Sequence, residues 1–164
     1  MRTRIARIAP RPVRLDVQRG VRAWAPRNAQ FALWAAAALG RRGANREITV
    51  RVVGPAESRR LNARYRGKDK PTNVLSFPAA ALPDVAEAIA VPLGDLVICA
   101  QVVRAEALAQ GKPLQAHWAH LVVHGALHLL GYDHDCEPDA RRMERREINV
   151  LRALGFTNPY RSIR

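Results

Sequence analysis

The five histidines of the chain lie close together and have the spacing of metal ligands. His117, His120, His124, His128 and His134 are the complete set, and all fall between positions 117 and 134. His124 and His128 are four residues apart, so on a helix their imidazoles project from one face about one turn apart. Two imidazoles at this spacing can share one zinc ion. The spacing therefore predicts a metal site on a helix.

A third candidate ligand follows this pair. Gly131 is expected to end the helix, because glycine takes the left-handed conformation that turns a chain back. His134 lies three residues further on, which is close enough for a third ligand. Three protein ligands and one open position are typical of catalytic zinc, whereas structural zinc is usually enclosed by four ligands. We therefore predict one Zn²⁺ per chain, held by His124, His128 and His134. A fourth ligand such as Cys136 would instead make the ion structural.

The same ligand spacing occurs in zinc peptidases of the metzincin type, but one residue disfavours that class. Those enzymes have the motif His-Glu-x-x-His-x-x-Gly-x-x-His, with the Glu as general base. Gly125 occupies the Glu position here, so a peptidase would lack its proton acceptor. Met143 is the only methionine after Met1, and it falls inside the last predicted helix rather than in a methionine turn. The spacing favours a metallohydrolase, with a metallopeptidase or amidohydrolase kept as an alternative.

A basic segment before a predicted strand is the second candidate for chemistry. Four cations fall within seven residues: Arg64, Arg66, Lys68 and Lys70. The guanidinium fork of Arg66 can hydrogen-bond phosphate oxygens and stabilise the charge that develops on them. A charged surface turn would have the same composition, so spacing alone leaves both interpretations open. We treat Arg66 as the candidate catalytic cation and the other three as candidate RNA or phosphate ligands.

Other polar residues near the predicted ligands are candidates for supporting roles. His120 and Asp133 are candidates for the general acid that protonates the leaving group. The commoner role of an aspartate such as Asp133 is to orient a ligand imidazole through its other ring nitrogen. His117 and His120 are interpreted as residues of the helix surface, or as residues that support the ligands from behind.

The composition places these residues in a single, strongly basic domain. The chain has 164 residues, a formal net charge of +13 and 48% hydrophobic residues, which fits one globular domain and argues against global disorder. The positive charge indicates a polyanionic partner, foremost nucleic acid. Most of the excess charge lies in residues 1–50, which contain eleven arginines and two acidic residues. We expect residues 1–12 to form a flexible basic arm and residues 13–164 to form the single catalytic domain.

Several partners and compartments are disfavoured by features that the sequence lacks. The longest apolar run, residues 31–39, is far shorter than the roughly 18 residues that a spanning helix needs. The basic N-terminus is not followed by an apolar core and a cleavage site, so no secretory signal is expected. Cys99 and Cys136 are too few for a disulfide framework. We therefore expect a cytoplasmic protein with no membrane contact and no disulfide-linked partner.

Local patterns predict the elements that must hold these residues in place. Alternating or β-branched runs predict strands at residues 13–17, 48–53, 74–77 and 96–99. Helix formers and amphipathic runs, most of them bounded by proline or glycine, predict helices at residues 26–39, 56–65, 101–110, 114–130 and 138–154. Residues 79–93, with many alanines and two prolines, are expected to be an irregular loop. The predicted fold class is α+β, one domain with a small mixed sheet of about four strands and about five helices.

Two motifs together resemble the YbeY family of endoribonucleases. The matching segments, two long and two short, are residues 124–134, 65–77, 94–98 and 117–120. The resemblance covers about residues 48–160. It implies a zincin-like α+β fold, a zinc ion bound by the three histidines, and a functional role for Arg66. It also implies single-strand-specific RNA cleavage, in 3′-end maturation of the small-subunit ribosomal RNA and in ribosome quality control.

The resemblance also implies the partners, which are ribosomal RNA and the small ribosomal subunit or its assembly factors. Hydroxide and a ribose 2′-hydroxyl are both compatible with these residues as the attacking group. A ribosome-assembly protein that binds RNA and holds a structural metal is the second alternative. An ion bound by three histidines with one open position would favour catalysis over that role.

Overall fold

The computed structural model describes residues 11–80 and 90–161. Its strands are β1 (Arg14–Arg19), β2 (Arg46–Val53), β3 (Val74–Pro78) and β4 (Val91–Cys99). Its helices are α1 (Asn28–Leu39), α2 (Pro55–Arg66), α3 (Ala100–Gln110), α4 (Leu114–Leu129) and α5 (Glu137–Ala153), and a 3₁₀ turn (Gly40–Gly43) follows α1. For this part of the chain the predicted α+β class, with four strands and five helices, is confirmed. None of these helices is long and apolar enough to cross a membrane.

Two of the predicted segments lie largely outside the described residues. These are residues 1–10 of the expected arm and residues 81–89 of the expected loop. Arg11, from the end of the expected arm, is attached to the domain. Its amide donates to Oδ1 of Asn45 at 3.0 Å, and its carbonyl accepts from the Asn45 amide at 2.9 Å.

The sheet is mixed, as predicted, and its strands lie in the order β1-β2-β4-β3. The first three of these pair in parallel, and β3 pairs antiparallel to β4 at the edge. The expected start of β4 at residue 96 is wrong, because the strand begins at Val91, which pairs with Arg46 of β2. Sequence patterns miss this segment because Pro92 and Gly94 are residue types depleted in strands. β3 pairs with β4 only from Gly94 onward, which leaves Pro92 outside that ladder.

The main core lies between one face of the sheet and helices α1, α4 and α5. Ile48, Val50 and Val52 alternate along β2 and are at most 1% exposed, as the period of a strand requires. Trp118 of α4 is fully buried and meets Phe31 of α1 edge to face, with ring centroids 5.8 Å apart. This packing buries most of α4. From residue 117 to its end, only the histidines at positions 120, 124 and 128 are not buried.

Gly125 lets α4 approach the sheet closely. A Cβ atom at this position would lie 2.8 Å from Cδ2 of Leu96 and 3.4 Å from Oγ of Ser76. A larger side chain there would have to displace the contact between the helix and the sheet. The position that carries the general base in metzincins therefore faces the sheet in this protein, which disfavours the peptidase alternative further.

Candidate metal centre

The end of α4 brings the third histidine back to the first two. Gly131 has a φ of +95°, a conformation that favours glycine, and the Tyr132 amide donates to the Leu127 carbonyl at 3.1 Å. This turn directs the Tyr132 carbonyl toward the helix, where it accepts from Nδ1 of His128 at 2.9 Å. The chain then returns so that the rings of His134 and His128 have centroids 4.9 Å apart. The turn predicted from Gly131 thus assembles the predicted triad.

The ring nitrogens of the triad have the arrangement that a metal ion needs. His124, His128 and His134 each offer one ligand atom, and these atoms all lie within 4.8 Å of one another. Nε2 of His124 and Nε2 of His128 are 3.1 Å apart. Tetrahedral zinc, with bonds of about 2.0–2.1 Å, separates two ligand nitrogens by about 3.3 Å. The distance between these two nitrogens therefore fits two ligands of one zinc ion.

The hydrogen bonds behind the rings set which nitrogens are free to bind metal. Nδ1 of His124 faces the carboxylate of Glu147, and Nδ1 of His128 faces the Tyr132 carbonyl. Both partners accept hydrogen bonds, so both Nδ1 atoms carry a proton, and in the neutral form that binds metal each Nε2 atom carries a lone pair. Two lone pairs that face each other at 3.1 Å repel unless a cation lies between them. The chemistry of the donor set therefore also fits a metal ion.

Burial and exposure suit the triad to bind metal while staying open to solvent. Burial lowers the pKa of His128, and the neighbouring imidazoles of His124 and His134 lower it further. His128 is therefore neutral at pH 7, as a metal ligand must be. The side chain of His124 is 26% exposed and His134 is an exposed residue, so water and substrate can reach the centre.

Glu147 is a functional residue that the sequence analysis missed. Its side chain is 0% exposed, yet its carboxylate accepts from Nδ1 of His124, from Nε2 of His120 at 3.3 Å and from the Tyr160 hydroxyl. Burial raises the pKa of a carboxyl group, but the hydrogen bonds from His120, His124 and Tyr160 outweigh it and lower the pKa of Glu147 to about 2. Burial, and then the same contact with Glu147, raise the pKa of Tyr160. A buried anion therefore stands directly behind one of the proposed ligands.

The periodicity of α5 contained the signal for Glu147. Met143, Val150 and Leu151 are buried, and Glu147 lies four residues after the first of them and three before the second. These spacings place Glu147 on the apolar face of the helix. A charged residue on a buried stripe requires a partner, and the histidines of α4 are that partner. His120, expected near the metal centre, contacts the same carboxylate.

A second pair of buried groups lies further along α4. Nε2 of His117 donates to Oε2 of Glu106 at 2.7 Å, and Nδ2 of Asn73 lies 3.2 Å from both oxygens of that carboxylate. His117 is 4% exposed, so it is not a residue of the helix surface, and its side-chain partner is Glu106 and not a proposed ligand. Its partner Glu106 was not singled out from the sequence.

Asp133 and Cys136 make contacts outside the cluster of ring nitrogens. Oδ1 of Asp133 accepts from the His134 amide at 2.7 Å, and this hydrogen bond lowers the pKa of the aspartate. Asp133 thereby holds the backbone of a proposed ligand and not its imidazole. The Cys136 thiol donates to Oδ2 of Asp139 at 3.0 Å. Among the described residues, its sulfur does not lie in one cluster with the ring nitrogens of the triad. The triad has no fourth protein ligand there.

The candidate catalytic cation and the three candidate RNA-binding cations are exposed at the end of α2 and in the loop that follows. Arg64 and Arg66 lie in the last turn of the helix, and Lys68 and Lys70 lie in the loop. The Arg64 guanidinium lies 5.4 Å from the centroid of the Tyr65 ring. Among the described residues, no hydrogen bond or ion pair joins these four cations to the histidines. Their roles stay predictions.

The fold and the site define a class of protein: a single-domain α+β protein with three histidines grouped at the end of its central helix. A family model described as Endoribonuclease YbeY matches residues 21–155, and the chain belongs to this family. The match confirms the predicted family and the predicted class of activity, an endoribonuclease. It also begins well before residue 48, where the resemblance of the motifs started. The family assignment therefore covers β2, α1 and the whole core.

A solved structure supports the fold. The solution structure of TM1509 from Thermotoga maritima is 21% identical in sequence, with a TM-score of 0.52. The similarity covers 90% of this chain and 99% of that chain.

Proposed function

We propose that this protein is a zinc-dependent endoribonuclease specific for single-stranded RNA. It acts in the cytoplasm in 3′-end maturation of the small-subunit ribosomal RNA and in ribosome quality control, with the small subunit or its assembly factors as partners. The observation that carries the metal dependence is the pair of Nε2 atoms of His124 and His128, which are 3.1 Å apart while both Nδ1 atoms face acceptors. Family membership supports the nuclease activity.

The proposed ligands are prepared for one ion. Glu147 holds the ring of His124, the Tyr132 carbonyl holds the ring of His128, and Asp133 holds the backbone of His134. Such partners fix the tautomer and orientation of a ligand before the metal binds. A bound zinc ion would supply Lewis-acid chemistry, polarising a phosphoryl oxygen and activating the attacking group.

The exposed cations support binding of RNA beside this centre. Arg66 offers a planar fork of donors to the oxygens of the scissile phosphate, while Arg64, Lys68 and Lys70 attract the flanking phosphates. The loop that carries the lysines ends at Asn73, which lines a groove together with His124. The cationic loop therefore ends at a groove that the histidine cluster also lines.

Removal of the metal tests this function. Protein stripped with a chelator should lose cleavage of single-stranded RNA and regain it when Zn²⁺ is added. A variant with His124 and His128 both changed to alanine serves as the control, because added Zn²⁺ should not restore it. Undiminished cleavage by protein shown by elemental analysis to be metal-free would rule out the metal dependence.

A further inference from the structure

A groove leads along α4 away from the candidate metal centre. It has a volume of about 390 Å³, and His124, His120 and His117 line it on successive turns of the helix. From position 124 to position 117 the helix advances about 10 Å, at about 1.5 Å per residue. One nucleoside spans a similar length. The groove is therefore large enough for a single nucleoside that begins at the metal centre.

The end of the groove away from the metal centre carries a carboxylate, Glu106, and an ammonium group, Lys112. Glu106 is held there by His117 and Asn73, and its side chain remains 31% exposed. Burial raises the pKa of a carboxyl group, but the hydrogen bonds from His117 and Asn73 outweigh it and lower the pKa of Glu106 below its usual range. The carboxylate is therefore an anion at neutral pH, with part of its surface accessible from the groove. Lys112 also lines the groove, where its ammonium donates to the Pro159 carbonyl at 2.7 Å, and among the described residues Glu106 is the one carboxylate of the lining.

One wall of the groove is an aromatic ring held in place. Tyr160 is 44% exposed, its hydroxyl donates to Glu147, and its ring meets His120 with centroids 5.4 Å apart. The apolar side chains of Val74 and Leu121 also line the groove. Unpaired bases stack on exposed aromatic rings of this kind. The walls therefore suit a flat, uncharged ring, and the Glu106 carboxylate suits a ring that carries hydrogen-bond donors.

We propose that this groove binds the base of the RNA nucleotide next to the scissile phosphate, and that Glu106 selects a base with an amino group over uracil. The inference rests on the proposed function, because it assumes that RNA is bound at the histidine cluster. Adenine, cytosine and guanine each present an amino group, which donates to a carboxylate. Uracil presents two carbonyl oxygens on either side of one N–H, and those oxygens are repelled by the carboxylate. Gln110, an exposed residue of the same groove, offers further hydrogen bonds without charge.

The test uses short single-stranded oligouridylates that carry one adenosine, cytidine or guanosine. Zinc-loaded full-length protein should cleave these at a fixed distance from the inserted base, about tenfold or more faster than it cleaves oligouridylate alone. That factor is the scale of one hydrogen bond to a charged group. Glu106→Gln should reduce the preference to about twofold or less. The amide of glutamine accepts from His117 as before but presents both a donor and an acceptor to the base.

A matched variant separates the groove from general electrostatics. Glu137→Gln makes the same change of charge at an exposed position of α5 that does not line the groove, and it should keep the wild-type preference. Binding titrations of metal-free protein with the same oligonucleotides, followed by fluorescence anisotropy, add a readout that needs no cleavage. They should show the same preference for an inserted base and the same loss in Glu106→Gln.

Two results would overturn the proposal. In the first, the wild-type protein cleaves and binds oligouridylate and the substituted oligonucleotides equally well. This comparison uses only the wild type, so it does not require that a variant folds. The other is a preference that survives intact in a folded Glu106→Gln protein. Both results leave RNA cleavage in place, so the proposed function would stand. A base preference in binding without any zinc-dependent cleavage would instead remove the proposed function.

Discussion

Replacement of Glu147 by glutamine tests whether a buried carboxylate holds a metal ligand in place. The carboxylate accepts from His124, His120 and Tyr160, and it is 0% exposed. Glutamine has the same shape, but one of its two terminal atoms is a donor. It cannot accept from all three partners, and it carries no charge to favour the proton on Nδ1 of His124. The lone pair on Nε2 of His124 is then less firmly directed at the metal.

The structure sets the size of this effect. The lowering of the Glu147 pKa from 4.5 to about 2 corresponds to a net preference of about 3 kcal/mol for the ionised form, after the opposing effect of burial. Divided among three donors, the share of His124 is about 1 kcal/mol, or about fivefold in an equilibrium constant. Loss of such supporting contacts commonly weakens metal binding by about 10- to 100-fold. We therefore expect Glu147→Gln to weaken zinc binding at least about fivefold.

The assay is competition for Zn²⁺ against a chromophoric chelator at neutral pH. Glu106→Gln is the matched control, because Glu106 contacts His117 and does not contact any proposed ligand. That variant should bind zinc as the wild type does. Cobalt substitution adds a spectroscopic readout, since a displaced imidazole alters the absorption of tetrahedral Co²⁺ whereas a change in stability alone does not.

Stability against acid gives an independent measurement on metal-free protein. The pKa of Glu147 is depressed in the folded state, so its contribution to the free energy of unfolding is present above about pH 4.5 and is lost as the pH falls toward 2. The wild type should therefore exceed Glu147→Gln in stability at neutral pH, and the difference should vanish in acid. Zinc affinity of Glu147→Gln within twofold of the wild type would refute the positioning role, whatever the change in stability.

Three further predictions concern the turn, the basic loop and the arm. Gly131→Ala should lower the free energy of unfolding of metal-free protein in urea by about 1–2 kcal/mol, because φ is +95° there. A Cβ would meet no atom within 4 Å, so backbone strain alone causes the loss. An unchanged free energy of unfolding would contradict the strained turn. Arg66→Ala should slow RNA cleavage about 100-fold with unchanged zinc binding, whereas Arg60→Ala, an exposed arginine of α2, should not; equal rates would exclude Arg66 from the site. Changing the three arginines of residues 1–10 to alanine should reduce the slope of log K against log salt for RNA by about 2, and an unchanged slope would exclude that segment from binding.

Local patterns predicted most of the elements that carry the site. The alternation of apolar residues in β2 predicts a strand with one buried face, and the apolar stretch of α4 predicts a buried helix. Both patterns are formed by residues that are close along the chain, so the sequence shows them directly. The start of β4 was missed because Pro92 and Gly94 disfavour strands, while the pairing of Val91 with Arg46 joins residues far apart in sequence. Pairing of that kind is decided by the sheet and not by local preference.

The candidate metal centre was predictable for the same reason. His124 and His128 are joined by one turn of helix, and His134 follows through a turn that depends on Gly131. These residues are close in sequence, so their spacing determines which side chains meet. Whether the site is open or closed required the structure, because the absence of Cys136 from the cluster depends on how the segment after α4 folds.

The sequence by itself determined the triad, its turn and the basic character of the chain, because each follows from residue types and spacings within a few positions. Only the tertiary structure decided what stands behind and beside the triad. Glu147 arrives from α5, Glu106 from α3 and Tyr160 from the segment after α5, and each meets α4 across the core. Long-range packing brings these groups together. Patterns of residues that are close along the chain do not indicate which distant residues will come into contact.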